Sequence, residues 1–215
     1  MSLNLTVDEV LTTTRSVRKR LDLEKPVSRE VLTECLQLAL QAPTGSNAQG
    51  WQWVFVEDAG KKKALADIYR RSSTPYLDLP KPEYPDGDTR GERMGLVTDS
   101  AKYLADHLHE VPVLLIPCLQ GRVEQAPLGL SASFWASLHP AAWSFMLALR
   151  SRGLGSCWTT LHLLGDGEKQ AAEVLGIPYD QYSQGGLFPV AYTKGTDFRP
   201  AKRQPIDNVV HWDSW

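Results

Sequence analysis

Three features of the chain predict an α+β fold, a mixed β-sheet flanked by helices. Val111-Pro112-Val113-Leu114-Leu115-Ile116 is an unbroken apolar run of strand length, as expected of a strand covered on both faces. Trp51-Gln52-Trp53-Val54-Phe55-Val56 has the aromatic and β-branched content of a second strand. Between such runs lie apolar residues at helical spacing, among them Val31, Leu32, Cys35, Leu36, Leu38 and Ala39. At 215 residues, 42% hydrophobic and 22% charged, the chain is long enough for one substantial core, and nothing in it marks a linker to a second domain.

Taken in order, Thr6-Val7-Asp8-Glu9 reads as a capping box that starts the first helix. That helix should lead into Arg15-Ser16-Val17-Arg18, placing two guanidiniums and a hydroxyl on one side of a helix turn. Ser28 caps a second helix that ends near Pro43. The Trp51–Val56 strand follows, and Asp58 then caps a Lys/Ala-rich helix. Residues 72–98 carry Pro75, Pro80, Pro82, Pro85, Gly87 and Gly91 with little periodicity, so this stretch is expected as a long excursion, either a lid or disorder. Ala141 to Arg150 is a strongly apolar helix crossing the core or a subunit interface. Pro140 either begins it or kinks a longer helix starting near Ser133, and Gly153 or Gly155 stops it. Ser156 to Thr160 and Gly186 to Tyr192 are the remaining strand candidates, separated by a helix over 168–175. From Phe198 to Trp215 there is little helical pattern, and the segment reads as an extended tail packed on another surface.

Several function classes are disfavoured. A net charge of −2 supplies no global attraction to nucleic acid. No segment approaches membrane-spanning length, and the N-terminus lacks a basic flank with a long apolar run, so a cytoplasmic location is expected. Cys35, Cys118 and Cys157 are odd in number and far apart, which predicts buried free thiols. His107 and His109 lack metalloprotease spacing and a third ligand, so no metal site is expected. Gly153-Leu154-Gly155 lacks the third glycine of a dinucleotide fingerprint, and no G-x-S-x-G supports a hydrolase.

The richest chemistry lies in Ala42-Pro43-Thr44-Gly45-Ser46-Asn47-Ala48-Gln49-Gly50-Trp51. Pro43 and Gly45 shape the backbone, while Thr44, Ser46, Asn47 and Gln49 offer donors and acceptors to a planar polar ligand. A loop that merely caps a helix is the alternative. Upstream, Arg15, Ser16 and Arg18 suit a phosphate, because a guanidinium holds two phosphate oxygens at once. Standing alone, they equally describe a solvated basic helix end beside Lys19 and Arg20. Trp51 or Tyr76 is an aromatic that could border a substrate cavity.

The ordered set of R-S-x-R at Arg15, A-P-T-x-x-N-x-Q-x-W at Ala42, G-L-G-S-C-W-T-T at Gly153, and a late P-V-A-Y strand followed by Lys202-Arg203-Gln204-Pro205 resembles the nitroreductase family of FMN-dependent oxidoreductases. Two positions depart from it: Thr14 stands where many members carry arginine, and Gly50 where proline is usual. The resemblance implies an α+β homodimer with flavin held between subunits. It places Arg15, Ser16 and Arg18 at the FMN phosphate and ribityl chain, with Arg203 and Lys202 approaching from the tail. Pro43, Thr44 and Gly45 would lie along the ring, Ser46 elsewhere in the cofactor-binding loop, Asn47 and Gln49 at the polar edge of the ring or the ribityl hydroxyls, and Thr159, Thr160 and Leu161 near its reactive nitrogen. The implied activity is ping-pong transfer from NAD(P)H through flavin to a nitroaromatic, quinone or related small-molecule acceptor, with no protein acid or base. Dehalogenation, ene reduction and non-catalytic FMN sequestration are the alternatives.

Overall fold

The apolar run near residue 115 and the aromatic run near residue 53 form the backbone of the sheet. In the computed structural model, which describes residues 2–80, 82–85, 88 and 90–215, β1 (Trp51–Val56) and β2 (Val113–Gln120) pair from Trp51 opposite Leu119 to Val56 opposite Leu114. The sheet order is β1-β2-β5-β3, where β3 is Leu154–Ser156 and β5 is Phe188–Tyr192, and β4 (Tyr182–Gln184) pairs with the far end of β2. All of these pairings are antiparallel. Among the described residues, parallel pairing is confined to a single bridge between Ser16 and Ser156, so the expected mixed sheet is antiparallel with one parallel contact.

Seven of the eight β2 residues are buried, and their alternation divides the core between two helical layers. Val113 and Leu115 pack with Leu32 and Cys35 of α2 (Arg29–Ala39) and Phe145 and Leu149 of α5 (Leu128–Ser151). Leu114 and Ile116 pack with Leu65 and Tyr69 of α3 (Ala59–Leu77), Leu104 of α4 (Arg90–His107) and Ala171 of α6 (Gly167–Leu175). Among the described residues, no helix is long and apolar enough to cross a membrane.

Local signals in the sequence set most of the ends. Thr6 and Glu9 exchange hydrogen bonds at the start of α1 (Val7–Thr13), and Ser28 and Asp58 cap α2 and α3. α5 runs through Pro140 and begins at Leu128, ahead of the expected Ser133. Burial of Ala141, Ala142 and Phe145 beyond the proline holds it as one helix. Gly153, at φ +74°, then turns the chain into β3. The three cysteines are buried free thiols, and burial raises the pKa of Cys35 to about 11 and that of Cys118 to about 12.

Other expectations are corrected. The stretch 72–98 is helical at both ends, because α3 continues through Pro75 to Leu77 and α4 starts at Arg90; Gly87 lies outside the described residues. Tertiary packing on Leu65, Tyr69 and Leu104 outweighs the local breakers. Leu38 belongs to the α2 pattern but is exposed. Residues 157–160 are not a strand beyond one bridge from Thr159 to Leu187, and β4 is a strand without a strong sequence signature.

His162 is fully buried beneath this framework, its Nε2 3.1 Å from Gln184 Oε1, and burial lowers its pKa to about 4. The unfolded chain therefore binds a proton in the window from about pH 6.5 down to about 4 that the folded chain rejects. Stability should fall as pH falls through that window, by roughly 2–3 kcal/mol from this group alone. Urea unfolding of wild type and His162→Gln at pH 7 and pH 5 checks it. The wild type should lose more stability than the variant, and equal losses would show that His162 is not the group responsible.

Candidate functional site

The segment after α1 is extended, not a helix turn, because the chain enters the sheet there. Val17 N–H donates to the Ser156 carbonyl at 2.8 Å, and Val17 is buried against Gly155, where an added Cβ would come within 3.0 Å of the valine. The pleat that drives Val17 inward leaves Ser16 and Arg18 outward. Thr14, the departure from the family pattern, is buried, and its hydroxyl donates to the Val10 carbonyl at 2.6 Å.

The sequence-predicted Arg15, Ser16, Arg18, Lys202 and Arg203 do come together. They line one cavity of about 730 Å³ with Arg93, Leu96, Val97 and Ser100 of α4 and with Tyr84 and Trp143. Arg150 positions the tail, since its Nε donates to Thr13 Oγ1 at 3.0 Å, its Nη2 to the Thr196 carbonyl at 3.1 Å, and its guanidinium lies over the Phe198 ring. Arg18 reaches α4 through Ser100 Oγ at 3.4 Å, and Lys19 pairs with Asp99.

The wall is short of negative charge. Asp88 is the one carboxylate among the described lining residues, and Arg90 already takes both its oxygens at 2.6–3.0 Å. Arg15, Arg18, Arg93, Lys202 and Arg203 make no ion pair among the described residues. Burial, then the charges of Arg203 and Arg93, hold the Arg15 guanidinium below its ordinary pKa. An anion with several oxygens would relieve that repulsion.

The Pro43–Gln49 loop does not line this cavity. Gly45 N–H donates to Ser137 Oγ at 2.9 Å on α5, and an added Cβ at Gly45 would lie 2.9 Å from Ser133 Oγ. Ser137 and Trp143 are six residues apart, a separation of about 120° around the helix, so the loop is anchored to one side of α5 and the cationic wall borders another. Within the loop Ser46, Asn47 and Gln49 all have left-handed φ, between +48° and +53°. Each costs on the order of 1 kcal/mol for a side-chain-bearing residue. Asn47 Oδ1 accepts from Gln49 Nε2 at 2.9 Å, and Thr44 Oγ1 from Gln49 N at 3.3 Å, while Pro43, Ser46, Asn47 and Gln49 stay exposed. Gly50 does not release the loop, because its carbonyl accepts from Gln120 N at 3.0 Å.

Thr159 is buried, with its hydroxyl 3.0 Å from that of Tyr69, and its N–H is taken by the Leu187 carbonyl at 3.1 Å. Leu161 N–H reaches Thr159 Oγ1 at 3.5 Å. Thr160 is exposed, and its N–H has no acceptor among the described residues. Of the expected aromatic neighbours, Trp51 is buried with its indole N–H on the Ser137 carbonyl at 2.7 Å, and Tyr76 stands exposed on α3; neither lines this cavity. His107 pairs with Glu110 at 2.7 Å, and no metal-binding cluster exists among the described residues. Arg93, Tyr84 and Trp143 escaped sequence reasoning. Arg93, Leu96, Val97 and Ser100 do stand at i, i+3, i+4 and i+7, a helical stripe obscured by the glycines and prolines around it.

The loop strain yields a test. Ser46→Gly removes the left-handed penalty at the cost of a more flexible unfolded chain. Its denaturation midpoint should match or exceed that of wild type, by up to about 1 kcal/mol, and a clear loss of stability would show that the loop is not strained.

The sequence model described as Nitroreductase family matches residues 11–192. An NADH dehydrogenase of Thermus thermophilus is 28% identical over 211 residues, covering 92% of this chain and 91% of that protein. A putative NAD(P)H nitroreductase, YodC, of Bacillus subtilis is 29% identical over 147 residues, covering 66% and 70%. Among solved structures, iodotyrosine deiodinase bound to FMN and 3-iodo-L-tyrosine superposes with a TM-score of 0.72 at 24% identity over 98% of this chain and 100% of that one. The FMN and NADPH-dependent nitroreductase NfnB of Sphigopyxis sp. strain HMH gives 0.70 at 21% identity with the same coverage.

Proposed function

Because the chain belongs to the nitroreductase family, we propose that it is a cytoplasmic, homodimeric FMN-dependent oxidoreductase that takes electrons from NAD(P)H and delivers them to a nitroaromatic, quinone or related electron-poor small molecule. The observation that carries this reading is the cavity wall on which Arg15, Arg18, Lys202 and Arg203 stand without carboxylate partners among the described residues. Guanidinium, ammonium and hydroxyl donors suit the oxygens of a phosphate monoester. Bound FMN would supply the redox chemistry, and the protein its binding, orientation and electrostatics.

Arg15, Ser16 and Arg18 hold the phosphate, and the tail adds the charges of Lys202 and Arg203. Asn47 and Gln49, fixed in a strained loop, present amide groups to the polar edge of a flat ring system or to hydroxyls along its side chain. Thr160 N–H is the main-chain donor still free to meet negative charge that grows on the ring. No side chain is needed as acid or base, since water provides protons. A single site serves donor and acceptor in turn, in keeping with the lack of a separate nicotinamide fingerprint in the sequence.

The placement of loop and cationic wall on different sides of α5 supports the homodimer. A second copy brings its loop to the cationic wall of the first. The tail supports this arrangement, because Ile206, Val209, Trp212 and Trp215 are exposed on a segment with no surface of its own to cover them.

In the expected kinetics, NAD(P)H reduces the loaded enzyme anaerobically with no acceptor present, and double-reciprocal plots run parallel. A ternary complex required for turnover would contradict the scheme. Asn47→Ala should slow the reductive half-reaction by roughly fivefold or more, the equivalent of one hydrogen bond, while leaving folding intact; unchanged reduction would remove Asn47 from the site. Deleting residues 206–215, which keeps Arg203, should lower dimer stability and FMN affinity together, because a ligand bound by the dimer stabilises it. A truncated protein that is monomeric by light scattering yet binds FMN normally would contradict the shared site.

A further inference from the structure

α4 turns one stripe of side chains into the cavity: Arg93, Leu96, Val97 and Ser100 recur at i, i+3, i+4 and i+7. The foot of the stripe is attached to the N-terminal segment through Arg18–Ser100 and Lys19–Asp99. Toward its N-terminus stand two arginines of different character, Arg93 about 10 Å and Arg90 about 15 Å along the axis from Ser100. Arg90 is neutralised by both oxygens of Asp88, whereas Arg93 has no carboxylate among the described residues and acts on Arg15 across the cavity. Arg203 acts on Arg15 as well, so guanidiniums from three separate parts of the chain, the N-terminal segment, α4 and the tail, converge at one place. Each repels the others unless an anion lies between them.

Building on the proposed function, we infer that Arg93 is a further ligand of the cofactor phosphate, which thereby clasps α4 and the tail onto the N-terminal segment. Leu96 and Val97, 69% and 45% exposed, are brought against the remainder of the site when the clasp forms. Cofactor binding and the ordering of α4 are then one event, and the phosphate rather than the ring drives it.

Comparing FMN with riboflavin, which lacks the phosphate, isolates the effect. Arg93→Gln should weaken FMN binding by roughly tenfold or more, in line with the loss of a charge-assisted bond, and leave riboflavin affinity unchanged, with Arg93→Lys recovering part of the loss. Hydrogen exchange in wild type should slow over residues 90–100 on adding FMN but not riboflavin. FMN affinity within twofold of wild type in Arg93→Gln, or equal weakening of FMN and riboflavin, would overturn the inference while leaving the proposed function standing. A wild-type protein that binds no FMN would overturn both.

Discussion

Unpaired positive charge on one cavity wall is the constraint around which the rest of the site is built. Arginines that face one another in a half-buried place repel, and the effect is read most directly at Arg15, which burial and the charges of Arg203 and Arg93 hold below its ordinary pKa. The fold keeps the charges there in spite of this. Gly155 admits Val17 against β3 and so aims Ser16 and Arg18 outward, while Arg150 ties Thr13 to Thr196 and brings the tail within reach. The N-terminal part of the wall, fixed to β3 through Val17, is preorganised for an anion, since the cost of placing it falls on folding and not on binding.

The loop proposed as the second half of the site obeys a different constraint. The Pro43–Gln49 loop is neutral, exposed and held in left-handed conformations, anchored to α5 by Gly45 and Ser137. Its attachment point and the cationic wall lie on different sides of α5, which supports the loop and stands between the two. A ligand with a phosphate at one end and a polar ring at the other would need both halves. In the proposed dimer, one copy would supply the wall and the other the loop.

Much of this architecture is legible in the amino-acid sequence. The capping box at Thr6, the caps at Ser28 and Asp58, and the two sheet-forming runs are readable because each depends on local chemistry or simple periodicity. The basic cluster is readable from its residues but not in its geometry, since the expected helix turn is an extended segment bridged to Ser156. What stays hidden depends on distant parts of the chain. Proline and glycine make residues 72–98 look irregular, although burial of Leu65, Tyr69 and Leu104 sustains helices on both sides, and Arg93 is hidden along with α4. Nor can the sequence show that Thr159 N–H is consumed by Leu187 while Thr160 N–H is not.

Mixing two defective copies tests the divided site most directly. Arg15→Glu/Arg18→Glu damages only the cationic wall, and Asn47→Ala/Gln49→Ala damages only the loop. A heterodimer purified through two different tags combines an intact wall from one copy with an intact loop from the other at one of its two sites. Titration with FMN should show each parent binding weakly and the heterodimer binding one FMN per dimer at close to wild-type affinity. A heterodimer that binds no better than its parents, or a chain that forms no dimer at all, would contradict a site shared between two copies.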